Sequence, residues 1–226
     1  SFLSITVFNC LNYLALHTTT VVNLNLVNAT TPVMIFALSQ VLLGVIPKRV
    51  QWFGLGLALA GFVIVVTGGE PARLLSFDVN RGDLWMLFAV SLWSLYSVLL
   101  KRSECNLPMV TFLLVQMLMG VILLVPFYLI DLQLNGGFLL TQKNTLALIY
   151  IGIFPSIIAV YFWNNAVKKL GPNVTSMFIY LAPIFAAILG TVFLGESLGW
   201  HHLVGELLIL TGFYCTVFYP LKERQP

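Results

Sequence analysis

Side-chain amides occur in otherwise apolar sequence, at spacings that place them together on one helical face. At about 100° per residue, one side of a helix would carry Asn25, Asn28, Pro32 and Ser39. Polar groups inside a bilayer are costly and usually face a cavity or another helix. The chemistry of an amide is hydrogen bonding, so two interpretations stay open. The amides line a pathway for a polar solute, or they bridge neighbouring helices.

Aromatic and further polar side chains in other apolar stretches extend this set. Aromatic rings in mid-membrane could stack on a planar solute or simply pack in the core, and both interpretations stay open. The candidate pathway residues are Asn9, Asn12, Tyr13, Asn25, Asn28, Trp93, Tyr96, Trp163, Asn164, Ser176 and Tyr180. Pro32 and Pro183 lie in the middle of apolar stretches. Each removes a backbone donor and favours a kink, so we predict that both act as hinges.

Motifs for catalysis, for a cofactor or for a metal do not occur in the sequence. It has no Walker A loop, no HExxH and no pair of intramembrane acids. Glu206 is the one acid well inside an apolar stretch, and His201 and His202 have no partner at metal-ligand spacing. The three cysteines fit neither a disulfide nor a metal framework. We therefore expect no enzyme activity, no cofactor, no metal and no nucleic-acid binding.

The composition is that of a membrane protein. Hydrophobic residues make up 59% and charged residues 8%, against roughly 25% charged residues in soluble domains. Runs such as 121–125 do not alternate between apolar and polar residues, which argues against a β-barrel. We expect an all-α membrane protein with eight transmembrane helices, since eight stretches reach or approach the ~20 residues that a crossing needs. They are residues 2–16, 20–44, 51–68, 84–100, 108–130, 145–166, 173–194 and 202–219.

The basic residues divide unequally between the two sides of this arrangement. One side carries Lys48, Arg49, Lys101, Arg102, Lys168, Lys169, Lys222 and Arg224. The other side carries Arg73, Arg81 and Lys143. Cytoplasmic loops are enriched in Lys and Arg. The first side, with the C-terminus, is therefore expected to be cytoplasmic.

The sequence repeats itself in the opposite orientation. A shift of 151 positions superimposes residues 12–65 on residues 163–216 without a gap. The matches are mostly glycine, proline and packing residues, such as Pro32 with Pro183 and Gly54 with Gly205. Five helices separate the equivalent spans, and an odd number places the two copies in opposite orientations. Inverted repeats of this kind are typical of secondary transporters.

The two copies are unequal in length. Spans four to eight form five helices, and spans one to three match only the last three of them. We therefore expect a ten-helix inverted-repeat (5+5) fold whose first two helices are absent, with a natural eight-helix protein as the alternative. The expected units are 1–68 (last three helices of the first repeat), 69–83 (inter-repeat loop), 84–220 (complete second repeat) and 221–226 (cytoplasmic tail).

The order and spacing of several short motifs resemble the EamA-type branch of the drug/metabolite transporter superfamily. The second copy carries Trp93-Ser-Leu-Tyr96, Tyr161-Phe-Trp-Asn-Asn-Ala166, Leu181-Ala-Pro183 and Leu194-Gly-Glu196. The first carries Asn12-Tyr-Leu-Ala15, Thr31-Pro32 and Trp52-Phe-Gly54. One departure is Val45, where the family usually has glutamate and the repeat equivalent is Glu196. The resemblance implies ten helices with both termini cytoplasmic, a central pathway, and transport of small organic metabolites across the inner membrane.

These observations predict a multi-pass secondary transporter of the inner (plasma) membrane. It would carry amino acids, drugs or similar solutes by alternating access between its two halves. The expected partners are a small-molecule substrate and the lipid bilayer, with a homodimer left open. The alternative from another functional class is a non-transporting membrane assembly subunit.

Overall fold

The chain folds into helices joined by short turns. The computed structural model describes residues 8–16, 18–70, 72, 80–103, 107–136, 141–195 and 197–218, and these residues contain no strand. The helices are α1 (Phe8–Leu16), α2 (Val21–Asn28), α3 (Thr31–Leu43), α4 (Arg49–Val66), α5 (Arg81–Arg102), α6 (Met109–Asn135), α7 (Gln142–Ile151), α8 (Val160–Leu170), α9 (Pro172–Met177), α10 (Ala182–Leu189) and α11 (Trp200–Val217). The all-α prediction is confirmed. The expected cytoplasmic tail 221–226 and most of the expected loop 69–83 lie outside the described residues, as do Glu196 and Cys105.

Two of the longest helical stretches contain π-helical turns. Gly152–Ala159 joins α7 to α8, and Gly190–Leu194 follows α10. Pro155 lies inside the first of these turns and interrupts the regular backbone hydrogen bonding there. The helical stretch nevertheless continues from Gln142 to Leu170, and it includes the predicted sixth span, 145–166.

Six of the described helical stretches are long enough and apolar enough to cross a bilayer. They are 22–43, 49–66, 81–102, 109–134, 142–170 and 172–194. They coincide with the second to seventh predicted spans. α1 is described over nine residues. α11 is less apolar because its first two turns carry His201, His202 and Glu206. The count of eight spans therefore stays a prediction.

Two glycines end equivalent helices in the same way. Gly44 follows α3 with φ +66°, and Gly195 follows the π-helical turn after α10 with φ +69°. These left-handed conformations favour glycine because a side chain would be strained there. The two glycines are separated by the same 151 positions as the sequence repeat.

α4 and α11 pack against each other along a seam of glycines. A Cβ atom placed on Gly54 would lie 2.6 Å from the carbonyl oxygen of Gly212. A Cβ on Gly205 would lie 2.8 Å from the carbonyl oxygen of Gly61. Both distances are far below van der Waals contact, so the two backbones approach closely only because these side chains are hydrogen atoms. We call Gly54, Gly61, Gly205 and Gly212 the glycine seam.

The start of α5 is tied to the turn between α1 and α2. Asn80 and Asp83 form a reciprocal cap, in which the Asp83 amide donates to Asn80 Oδ1 and the Asn80 amide donates to Asp83 Oδ2, each at 3.0 Å. The hydroxyl of Thr19 also donates to the Asp83 carboxylate, and Asp83 is buried. This anchor holds α5 against α1, α2 and α3, where a first apolar cluster of Ala15, Val27, Met86 and Val90 forms.

Candidate functional site

Three buried polar side chains meet where α5, α6 and α8 come together. The hydroxyl of Tyr96 donates to Asn164 Oδ1 at 2.8 Å. The Asn164 amide donates to Gln116 Oε1 at 3.2 Å, and the Gln116 amide donates to the Tyr96 oxygen at 3.1 Å. We call these three residues the amide triad. Asn164 is fully buried, so the triad forms a closed network that satisfies its members in an apolar setting.

Aromatic rings surround one side of the amide triad. The ring centroid of Trp93 lies 5.5 Å from that of Tyr96 and 5.5 Å from that of Trp163. The indole of Trp163 donates to the Ser97 hydroxyl at 3.1 Å. The sequence prediction grouped Trp93, Tyr96, Trp163 and Asn164 as candidates from two distant stretches, and the structure brings these four side chains together.

The second and seventh apolar stretches are interrupted at equivalent positions. α2 ends at Asn28, and the turn at Ala29 and Thr30 precedes α3. In the other copy, the 3₁₀ segment Phe178–Leu181 precedes α10. Tyr180 in that segment is fully buried, and its hydroxyl donates to the carbonyl oxygen of Ala29 at 2.7 Å.

Pro32 and Pro183 follow these two interruptions. Each occupies the first turn of a new helix, α3 or α10, instead of the middle of a continuous helix. The sequence predicted a kink at a proline in the middle of each helix, whereas in the structure a new helix begins at each proline. The first turn is where a missing backbone donor costs least, so the irregularity falls just before the proline in both copies.

One cavity lies at the end of the bundle that carries lysines, and we call it the lysine cavity. Its volume is about 360 Å³. It is formed by α3, α4, α5, α8, α9 and α11, and its polar lining includes Ser39, Lys48, Gln51, Lys101, Asn173 and Thr216. Its apolar wall includes Leu43, Val174 and Val217. The cavity therefore combines an apolar surface with positive charge and hydrogen-bonding groups.

A second cavity, which we call the histidine cavity, lies at the other end of α4. Its volume is about 300 Å³. It is formed by α2, α4, α10 and α11, and its lining includes Asn25, Phe62, Val65, Pro183, Ala187 and His202. Gln51 of the first cavity and Val65 of the second are fourteen residues apart on α4, which is about 21 Å along a helix. The two cavities thus lie near opposite ends of α4.

Three of the remaining predicted pathway residues form hydrogen bonds with residues nearby in the sequence. Asn28 accepts a hydrogen bond from the Thr31 hydroxyl at 3.1 Å, within its own helical stretch. Asn12 donates to the Phe8 carbonyl at 3.1 Å, and buried Ser176 donates to the Asn173 carbonyl at 2.9 Å. The side chains of Asn9 and Tyr13 lie outside the described residues.

Gln116 and Asn173 were not among the predicted site residues. Gln116 is 2% exposed and completes the amide triad. Gln116 is the single amide side chain between residues 108 and 130. Asn25 and Asn28 were selected as amides within an apolar stretch, and the same criterion would have selected Gln116. Asn173 lines the lysine cavity, but its position at the start of an apolar stretch gave no signal of burial.

The arrangement can bind and orient a small molecule, since its groups are amides, hydroxyls, aromatic rings and lysines around two cavities. The described residues contain no group of three His, Cys, Asp or Glu side chains that could hold a metal ion. His202 and Glu206 form a possible ion pair, with Nδ1 and Oε1 3.9 Å apart.

Comparison with known protein families gives one match that covers more than half of the chain. Residues 80–218 match the EamA-like transporter family.

Several individual relatives carry transporter names. An uncharacterized transporter of Archaeoglobus fulgidus is 26% identical over 216 residues, which cover 94% of this chain and 72% of that protein. The uncharacterized inner membrane transporter YedA of Escherichia coli K12 is 27% identical over 75% of this chain and 53% of its own length. A probable amino-acid metabolite efflux pump of Salmonella typhimurium is 23% identical over 76% of this chain and 58% of its own length.

A solved crystal structure has the same fold. It superimposes with a TM-score of 0.73 at 22% sequence identity, covering 96% of this chain and 73% of the other. At that level of identity the likeness concerns the fold alone.

Proposed function

Because the chain belongs to the EamA-like transporter family, we propose that it is a secondary transporter that moves small organic solutes across the inner membrane by alternating access. Amino acids, drugs or similar metabolites are the proposed solutes. Two relatives support this proposal by name, one as an inner membrane transporter and one as a probable amino-acid metabolite efflux pump.

The observation that carries the proposal is the relationship between the two cavities. Gln51 lines the lysine cavity, and its repeat equivalent His202 lines the histidine cavity. Val65 lines the histidine cavity, and its repeat equivalent Thr216 lines the lysine cavity. The shift of 151 positions therefore relates lining residues of one cavity to lining residues of the other. Two cavities that share repeat-equivalent positions of α4 and α11, one towards each end of these helices, are what a pathway needs if each half opens it on one side.

The glycine seam supports the same inverted repeat. The shift converts Gly54 into Gly205 and Gly61 into Gly212. It therefore converts the contact of Gly54 with Gly212 into that of Gly205 with Gly61. A contact that maps onto another contact when the halves are exchanged is the signature of a two-fold relation. We infer that α4 and α11 pack about an approximate two-fold axis.

The proposed substrate route runs between the two cavities, past the interruptions at Ala29 and Tyr180. Pro32 and Pro183 begin the helices on the far side of these interruptions, and Pro183 lines the histidine cavity. Local breaks in the helix are where backbone angles can change with little loss of hydrogen bonding, so we propose that the two halves rock about this level. The amide triad and its tryptophans are proposed to flank the route.

The orientation follows from the charges. The lysine cavity carries Lys48 and Lys101, and the neighbouring helix ends carry Lys168 and Lys169. We propose that this end faces the cytoplasm, with the C-terminus on the same side. The histidine cavity then opens towards the outside.

Counterflow in proteoliposomes tests the proposal. The full chain is reconstituted into vesicles that are preloaded with one unlabelled solute, and uptake of the labelled solute is followed for amino acids, nucleosides and aromatic amines. A transporter gives transient accumulation of the labelled solute above its equilibrium level for at least one of these solutes. Vesicles without the protein give none. Folded protein that gives no accumulation of any of these solutes would contradict the proposal for these solute classes.

A further inference from the structure

His202 and Glu206 form a partly buried ionisable pair on one side of α11. They lie one helical turn apart, and Nδ1 of His202 is 3.9 Å from Oε1 of Glu206. Both atoms are shielded from solvent, and neither has a hydrogen-bond partner in the part of the chain that the structure describes. Buried polar atoms are nearly always paired. A proton between the two atoms, with a side-chain movement of about 1 Å, would complete a hydrogen bond of ordinary length.

The imidazole ring connects this pair to the histidine cavity. His202 lines the cavity, and its side chain is 23% exposed. Its Nδ1 is shielded, whereas its Nε2 is not among the shielded atoms. An imidazole can bind a proton at either nitrogen and carries one on each when it is charged. A proton from water in the cavity therefore reaches the pair through Nε2, although Nδ1 and Oε1 themselves have no contact with solvent.

The walls of the histidine cavity leave this pair as its source of ionisable charge. Apart from His202, none of the described lining residues is ionisable. The walls from α2, α4 and α10 consist of Asn25, Pro183 and apolar side chains such as Phe62 and Val65. A net charge on the pair is therefore costly beside these walls unless water hydrates it.

Four further ionisable groups are relevant to the titration of the pair. Those on the elements packed against α11 are Arg49, Glu70 and Tyr180, and the adjacent one on α11 itself is His201. Arg49 lies at the other end of α4, and the Tyr180 hydroxyl is bonded to Ala29. Glu70 belongs to the turn after α4, which packs against His201. The His201 ring centroid lies 4.4 Å from that of His202, so His201 is the matched neighbour for a comparison.

The number of bound protons sets the net charge of the pair. With one proton, held by either group, the net charge is zero, whereas without it the pair keeps the negative charge of Glu206. The neutral pair favours a dry, closed cavity, and the uncompensated charge favours a hydrated one. The cavity is formed by α2 and α4 of the first half and by α10 and α11 of the second, so rocking of the halves changes its hydration. The closed cavity therefore binds the proton more tightly than the open one.

We propose that His202 and Glu206 form a regulatory proton-binding site that holds the histidine cavity closed while one proton is bound. The ligand is a proton from the outer solution. Its loss, as the pH rises through the range of about 5 to 8 in which histidine changes its charge, shifts the population towards the open cavity. The inference rests on the proposed function, in which this cavity is the outer end of the pathway, and adds a regulation to it.

Labelling of a cysteine in the histidine cavity tests the inference without a transported solute. The purified full chain with Asn25→Cys is placed in nanodiscs, and its reaction with a membrane-impermeant thiol reagent is timed between about pH 6 and pH 8. The chain without this cysteine gives the background. The same cysteine combined with His202→Gln corrects for the reactivity of the thiol, because that variant lacks the titrating ring. The ratio of the parent rate to the His202→Gln rate should rise with pH, by up to about tenfold per pH unit, which is the limit for one proton.

Three variants on α11 should give different pH profiles of this ratio. Glu206→Gln should invert the response, because protonation of His202 then creates a buried charge instead of cancelling one. His202→Lys places a fixed positive charge beside Glu206 and should keep the ratio low at every pH. His201→Gln, at a histidine outside the cavity lining, should follow the parent. The unfolding temperature of each variant checks its fold, and Ala187→Cys on α10, which also lines the cavity, repeats the measurement independently of Asn25→Cys.

Three results would overturn the inference: a ratio that does not change with pH, loss of the response in His201→Gln, or a parent-like response in folded Glu206→Gln. None of these results contradicts the proposed transport function, because the labelling needs no solute. Absence of counterflow from a protein whose labelling follows the expected profile would instead contradict the transport function and leave the proton site standing.

Discussion

The hydroxyl of Tyr180 donates a hydrogen bond to the carbonyl oxygen of Ala29, and the two residues are repeat equivalents of each other. The donor and acceptor are 2.7 Å apart, and the residues are separated by 151 positions in the sequence. A residue can contact its own equivalent only close to the axis that exchanges the two halves. The contact thus marks the proposed two-fold axis at the level of the helix interruptions.

Tyr180→Phe tests the contribution of this contact to stability. The substitution removes the hydroxyl and leaves the Ala29 carbonyl without this donor in a buried position. We expect a loss of about 1–2 kcal/mol in the free energy of unfolding, which is typical of a buried hydrogen bond that loses one partner. Thermal unfolding in detergent measures it. Tyr214→Phe is the control, because Tyr214 is 53% exposed and should tolerate the change; an equal shift in both variants would contradict the expectation.

Gly212→Ala should disrupt the glycine seam. A Cβ atom on Gly212 would lie 2.6 Å from the backbone nitrogen of Ala58 and 2.9 Å from its Cβ, so α4 and α11 must move apart. We expect a loss of about 1–3 kcal/mol, the usual cost of overpacking, seen as a lower unfolding temperature.

Gly56→Ala is the matched control for the glycine seam. Gly56 lies on α4, and a Cβ placed there meets no atom within 4 Å. Alanine favours a helix over glycine by about 1 kcal/mol, so this variant should be as stable as the parent or more stable. A destabilised Gly56→Ala, together with an unaffected Gly212→Ala, would show that the seam is not a close contact.

Much of this architecture could be predicted from the sequence because it depends on chain-wide patterns. Apolar length located the helices, and the 151-residue shift located Pro32 and Pro183 as matched irregularities. The interruption before each proline was not predicted. The prolines account for its position, but the buried contact between Tyr180 and Ala29 at that level joins residues far apart in the chain.

Side-chain partners were less accessible to sequence reasoning. Tyr96 and Asn164 were selected separately as polar or aromatic residues within apolar stretches, but their partnership through Gln116 depends on how α5, α6 and α8 meet. Asn28 and Asn25 lie on one helical face in the sequence pattern. In the structure, Asn28 accepts a hydrogen bond from Thr31, whereas Asn25 lines a cavity. Helical periodicity alone does not predict this difference.

Asn25 and Asn28 should therefore respond differently to substitution by leucine. Asn25 lines the histidine cavity, so Asn25→Leu should reduce counterflow several-fold while the unfolding temperature changes little. Asn28 bonds Thr31 within its own stretch, so Asn28→Leu should reduce stability by up to about 1 kcal/mol and affect counterflow less. Equal losses of stability with unchanged counterflow in both variants would instead identify both amides as helix bridges.

The predicted orientation can be tested with reporters at the C-terminus. Lysines and arginines concentrate on the side that we assign to the cytoplasm. A green fluorescent protein fused after residue 226 should therefore fluoresce in cells, whereas alkaline phosphatase fused there should be inactive. A membrane-impermeant thiol reagent applied outside intact cells should also fail to label Cys105. Active phosphatase with a dark fluorescent fusion would reverse the assignment.

Gln116→Leu should be more damaging than the removal of a single hydrogen bond. Gln116 accepts from Asn164 and donates to Tyr96, so its loss leaves a fully buried amide without its acceptor. We expect a cost of about 1–3 kcal/mol, whereas Gln116→Leu combined with Asn164→Leu and Tyr96→Phe should recover part of that loss, because replacing all three partners by apolar groups can be nearly neutral. Unfolding of the three single variants and the combined variant gives the coupling energy directly. If the losses of the single variants simply add up in the combined variant, the amide triad does not act as one network. That result would contradict the role that we give Gln116.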